Sequence, residues 1–176
     1  MKQVARRIKK IFTLFVEGQT EKIYFDSLNQ LDFVRDSNYR LNVIDCAGAD
    51  KLLKIAFGKK KKREFGQSDK VAFVVDKDQM TKAEFDLLVG LPYIIGFSNP
   101  QFEIWLLAHF EPLKESYSDV VVSLRKYMPN YQKASPEISN LVKDYQKALK
   151  NTEKQSEAKF EQVSTSIVKI IEVIAN

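Results

Sequence analysis

The five apolar residues Val71-Ala72-Phe73-Val74-Val75 run without a break into Asp76-Lys77-Asp78. A run like this has no polar face to offer water. As a strand it needs cover on both sides, which is the habit of parallel sheets. Ile11-Phe12-Thr13-Leu14-Phe15-Val16 is nearly as apolar, is equally β-prone, and also stops at an acid, Glu17. Two further strands are predicted at 41–44 and, behind Pro92, at 93–97. Helical spacing fills the intervals: Tyr24, Leu28 and Leu31 mark one buried stripe over 20–31, and shorter helices are predicted over 50–57 and 83–89. This alternation predicts an α/β fold built on a mainly parallel four-stranded sheet flanked by helices.

Beyond residue 98 the strand signal stops. Asn99-Pro100 has the residue types of a helix start, and the helix predicted from there to 110 is apolar almost all round. Ile138, Leu141, Val142, Tyr145, Ala148 and Leu149 repeat at helical spacing, as do Val163, Ile167, Ile170, Ile171 and Ile174. The polar stretch 150–159 between them reads as a mobile connection, and there is no internal repeat. The expected organisation is an α/β core over 1–98 with a helical extension over 99–176 packed on it, in one compact domain.

Composition narrows the chemistry. No run of eighteen apolar residues occurs, which excludes a transmembrane helix. A single cysteine, Cys46, excludes an internal disulfide, and a single histidine, His109, leaves no His/Cys cluster for zinc. The basic first ten residues lead into a short apolar run ending in an acid instead of a signal-peptide core, so the expected compartment is the cytoplasm. A net charge of +5 and a pI near 9.1 permit a polyanionic partner without requiring one. No Gly-x-x-x-x-Gly-Lys-Ser/Thr loop is present, so any ATPase in the system must be another polypeptide.

Ligands of open parallel sheets bind at the carboxyl ends of the strands. Here the first strand runs into Glu17-Gly18-Gln19-Thr20-Glu21, the third into Asp76-Lys77-Asp78, and the fourth into Ser98-Asn99-Pro100. Two of three exits carry a pair of acids. Acids after strands are common, because helix N-termini and loops both favour them. Two pairs on separate exits tip the reading towards a hard divalent cation such as Mg²⁺, which takes oxygen ligands and substrate phosphate. Asp-x-Asp after a strand also belongs to phosphatases of the haloacid-dehalogenase type, but Met80 stands where they carry Thr or Val.

These residues resemble the Toprim domain, shared by topoisomerases, primases and overcoming-lysogenization-defect nucleases, and more closely the RloB-like family. Three stretches carry the resemblance: Phe15-Val16-Glu17-Gly18-Gln19-Thr20-Glu21-Lys22-Ile23-Tyr24-Phe25, Val74-Val75-Asp76-Lys77-Asp78, and the run from Ser98 to Phe110; Val163-Ser164-Thr165-Ser166-Ile167 is a weaker fourth. The resemblance implies a Toprim core, Mg²⁺ or Mn²⁺ as cofactor, nucleic acid as substrate, a role in bacterial defence against phage, and a separate ATPase subunit as partner. It implies Glu17 as general acid/base and part of the metal site, Asp76 and Asp78 as metal ligands, Glu21 as a further ligand or supporting group, and Asn99 and Glu103 near that centre, Glu103 as a second catalytic acid and Asn99 as a nucleic-acid contact. Gln101 departs from the small residue expected between Pro100 and Phe102. A rival reading keeps the fold but drops catalysis, leaving a module that binds nucleic acid or docks an ATPase.

The remaining candidates each have two readings. Glu103 sits among Phe102, Ile104, Trp105, Leu106 and Leu107, and a buried carboxylate needs a metal, a cation or a backbone amide. Lys59-Lys60-Lys61-Lys62-Arg63 is either a phosphate-contacting arm or a solvated loop. His109 reads as a hydrogen-bonded packing residue in preference to a base, Trp105 as core, and Ser164-Thr165-Ser166 as a cap for the last helix in preference to a phosphate contact.

Overall fold

The structure, a computed structural model, describes residues 8–58 and 68–176. Four parallel strands form the sheet: β1 (Lys10–Val16), β2 (Tyr39–Asp45), β3 (Lys70–Asp76) and β4 (Ile94–Asn99). A two-residue fifth strand, β5 (Ser164–Thr165), adds an antiparallel edge beside β4, giving the order β2-β1-β3-β4-β5. Four strands were expected. Two residues carry no periodicity, so β5 has no sequence signal of its own.

The period of two is visible in the core. Phe12, Leu14 and Val16 of β1 and Ala72 and Val74 of β3 face one hydrophobic layer, while Phe15, Phe73 and Val75 face the other. Each layer is closed by helices. Against the first lie α1 (Gln19–Leu28) and α2 (Asp32–Asp36); against the second lie α3 (Ala49–Ala56) and α4 (Lys82–Val89). The single helix expected over 20–31 is divided because Asn29 turns to β2, bonding the Leu41 carbonyl and amide at 3.4 and 3.3 Å. α4 opens with a reciprocal cap between Thr81 and Glu84.

The C-terminal segment supplies α5 (Glu103–Ala108), α6 (Val120–Arg125), α7 (Ile138–Leu141), α8 (Tyr145–Asn151) and α9 (Ile167–Ala175), and these join the first layer. α9 lies directly on β4: a Cβ on Gly96 would come within 2.8 Å of Ile170 Cδ1 and 2.9 Å of Ile167 Cδ1. The predicted helix start at Asn99 is overturned. Asn99 pairs with Ser164 as the last residue of β4, and the helix begins at Glu103. Ser166 does not cap α9 with its side chain; its hydroxyl accepts from the Phe97 amide and donates to the Ile95 carbonyl, stitching the chain to β4. Residues 150–159, expected as a mobile connection, hold a short 3₁₀ turn at Glu153–Gln155, with Gln155 donating to the Leu113 carbonyl.

Candidate metal centre

The chain runs from β1 outwards to β2, then returns to the opposite side of β1 with β3. The carboxyl ends of β1 and β3 therefore border a crevice where strand order reverses, the standard ligand position of an open α/β sheet. Glu17 is the first residue after β1, Asp76 is the last of β3, and Asp78 follows in a 3₁₀ turn. One carboxylate oxygen from each of the three lies within 4.8 Å of the other two. The Asp76 amide donates to Glu17 Oε1 at 2.8 Å, locking the two strand exits together.

Two further acids close the site. Glu21 is buried in the first turn of α1, one turn beyond Glu17, and Glu103 is buried in the first turn of α5. The buried Tyr131 hydroxyl donates to Glu103 Oε1 at 2.8 Å. All five acids, with Asp50 of α3 as a sixth, line one cleft of about 640 Å³. Lys51 and Lys54 of α3 and Lys133 on the loop after α6 line it as well.

Crowding acids away from water resists their ionisation. Burial raises Glu17 to about 7; the Asp76 amide opposes this, while Glu21 and Asp78 add to it and Lys133 offsets a part. Asp76 is pushed well above the usual carboxylate range, first by burial and then by Glu17 and Glu21, against the Phe102 amide. Glu21 is also raised by burial and by Glu103, with its own amide and Lys133 holding it down. The donor set fits a hard divalent cation: every candidate ligand is a carboxylate oxygen, and the acids lack enough positive charge of their own. Carboxylates with raised proton affinity are groups whose ionised form a bound cation stabilises.

Of the residues singled out from sequence, Glu17, Glu21, Asp76, Asp78 and Glu103 are brought together. Asn99 is not a lining residue. Its Nδ2 donates to the carbonyls of Lys159, Phe160 and Gln162 at 3.2, 2.8 and 2.7 Å, anchoring that segment beside β4. The run Lys59 to Arg63 lies outside the described residues. His109 is buried at the far end of α5, where Nε2 meets the Tyr24 hydroxyl at 3.1 Å and Nδ1 faces the Trp105 carbonyl at 3.0 Å. Trp105 is core. Sequence reasoning missed Tyr131 and Lys133. Both lie in an irregular stretch with no apolar period, and their relation to the acids exists only once α5 and the loop after α6 have packed.

The family model for RloB-like protein matches residues 12–174, a span that takes in every strand exit and all five acids. No curated protein and no solved structure matches the chain. With nearly the whole length covered, the chain belongs to the RloB-like family.

Proposed function

We propose that this chain is a metal-dependent nuclease of the Toprim type, cleaving phosphodiester bonds in DNA or RNA as part of cytoplasmic anti-phage defence alongside a separate ATPase subunit. The observation that carries the reading is the convergence of Glu17, Asp76 and Asp78, within 4.8 Å of one another, at the crevice between β1 and β3. Asp76, Asp78 and Glu17 would hold Mg²⁺ or Mn²⁺, with Glu21 as a further ligand or support. A bound divalent cation supplies positive charge against a scissile phosphate and its leaving oxygen. Glu17 would either complete the metal's ligands or move a proton; without metal, burial raises it to about 7, and a bound cation would bring that down. Glu103 borders the same cleft and is oriented by Tyr131.

The test is incubation of the protein with supercoiled plasmid, single-stranded DNA and bulk tRNA in Mg²⁺, Mn²⁺ or EDTA, beside an Asp76→Ala, Asp78→Ala double variant. Cleavage that requires metal and is lost in the variant is the expected result, and the substrate that is cut identifies the nucleic acid. Silence with the ATPase partner also present would overturn the nuclease reading in favour of a non-cleaving module.

A further inference from the structure

We propose that Lys133 is a substrate-phosphate contact, held over the acidic cleft in readiness for a nucleic-acid backbone; the assignment rests on the nuclease reading above. The segment carrying it is pinned on both sides to the acid site. On one side, buried Tyr131 donates to Glu103 at 2.8 Å, and its carbonyl accepts from Arg125 Nε at 3.2 Å. On the other, the Ala134 amide donates at 2.9 Å to the hydroxyl of Thr20, a buried residue immediately before Glu21. Ala134 has a φ of +59°, a left-handed backbone that disfavours any residue with a Cβ. Such a turn persists where surrounding contacts impose it, and here those contacts lead to the acidic cleft.

What the loop delivers is a lone ammonium. Lys133 lines the cleft beside the five acids. Among the described residues it makes no direct ion pair. A lysine serving only to neutralise the cluster would bond one of its carboxylates directly, yet none takes it as an ion-pair partner, and the hydrogen bond from this loop to Glu103 comes from the neutral hydroxyl of Tyr131. Lys133 is left with its charge directed into the cleft, where it is felt by both Glu17 and Glu21. A phosphodiester approaching a floor of carboxylates needs positive charge on its outer side as well as at the metal. Lys133 supplies that from the loop after α6, and Lys51 and Lys54 supply it from α3.

The test compares wild type with Lys133→Ala, Lys133→Gln and Lys133→Arg. Anisotropy of a short fluorescein-labelled oligonucleotide, as single strand and as duplex, is measured in Ca²⁺ over a salt series, and Mn²⁺ binding is measured by calorimetry. One lost phosphate contact lowers the log–log salt slope by about 0.7 on a single strand or about 0.9 on a duplex, and weakens binding about five- to eightfold near 0.1 M salt. The expectation is that the Ala and Gln variants show both changes, that the Arg variant restores the slope, and that Mn²⁺ affinity does not fall in any of them. An unchanged slope in Lys133→Ala, with the wild type binding oligonucleotide, overturns the assignment and leaves the nuclease reading standing. Oligonucleotide and Mn²⁺ affinity falling together also overturns it, because the residue would then be supporting the metal site. A wild type that binds neither metal nor oligonucleotide overturns both readings.

Discussion

The two ends of α5 each bury a titratable side chain, and they solve the same problem in opposite ways. At the C-terminal end, His109 is surrounded by partners: the Tyr24 hydroxyl on one ring nitrogen, the Trp105 and Leu106 carbonyls facing the other, and the edges of both aromatic rings around it. Burial lowers its pKa to about 4, so it is neutral across the physiological range and behaves as a polar packing residue. At the N-terminal end, Glu103 faces a cleft shared with five other acids, three of them raised in pKa by burial and by neighbouring carboxylates. One cluster is complete as it stands. The other is balanced only when something positive arrives. Burial of a polar group does not by itself mark a site; what distinguishes the two is whether its partners finish the electrostatics.

The largest effect should therefore come from adding and removing a cation. Saturating Mn²⁺, at a hundred times its Kd, should stabilise the protein by about 2.7 kcal/mol, a rise of roughly 5–10 °C in thermal midpoint for a chain of this size. Asp76→Asn should abolish most of that shift, and at pH 8 it should raise the midpoint of the metal-free protein, because it removes a carboxylate that folding strains. Differential scanning fluorimetry with and without Mn²⁺ reads both. A metal-free variant less stable than metal-free wild type would mean that Asp76 is already satisfied within the protein, and the contrast between the two clusters would collapse.

Next in size is the pair of tyrosines that serve the two ends of α5. Tyr131→Phe takes the hydroxyl donor from buried Glu103 and should cost about 1–3 kcal/mol in urea unfolding without metal. Tyr24→Phe takes the partner from His109 Nε2 and should cost about 1 kcal/mol. The sharper difference lies in metal titration. Tyr131→Phe should change Mn²⁺ affinity, because Glu103 shares the cleft, and Tyr24→Phe should not. Equal shifts from both would show that α5 transmits disturbance along its length and that its ends are not separable.

Much of this arrangement is legible in the sequence. The apolar runs ending at Glu17 and Asp76 placed both acids at strand exits, because a strand buried on both faces has to stop where its first charge appears. Glu103 was conspicuous as one carboxylate in an apolar helix. Other features depend on contacts between distant segments. Asn99 has the composition of a helix cap, but β5, contributed by residues 164–165, extends β4 through it and turns its amide to the carbonyls of 159–162. Ser166 was likewise taken from capping by hydrogen bonds across to β4. Tyr131 and Lys133 carry no pattern at all, since their meaning lies in what they meet. Local chemistry is readable where it sets a boundary, and unreadable where a partner more than sixty residues away competes for the same side chain.

The smallest effect, and the most specific, is the pH dependence of metal-free stability, because the two clusters contribute slopes of opposite sign. His109 binds its proton less readily folded, at about 4, than at its ordinary 6.5. Between those values the unfolded chain holds more protons, so stability rises with pH, is fully present above 6.5, and is lost as the medium acidifies towards 4. Glu17 runs the other way. Its folded value of about 7 lies above its ordinary 4.5, so the folded protein holds more protons in that window, and stability declines as pH rises from 4.5 through 7. In wild type the two partly cancel. His109→Gln should expose the decline alone, and Glu17→Gln should weaken it, leaving the rise more prominent. Saturating Mn²⁺ should reverse the acidic arm, since protons and metal compete for the same oxygens. Chemical unfolding at half-unit steps from pH 4 to 8, in wild type and both variants, reads the slopes directly. A Glu17→Gln profile parallel to wild type would remove Glu17 from the set of strained acids, leaving Asp76 and Glu21 to account for the cleft.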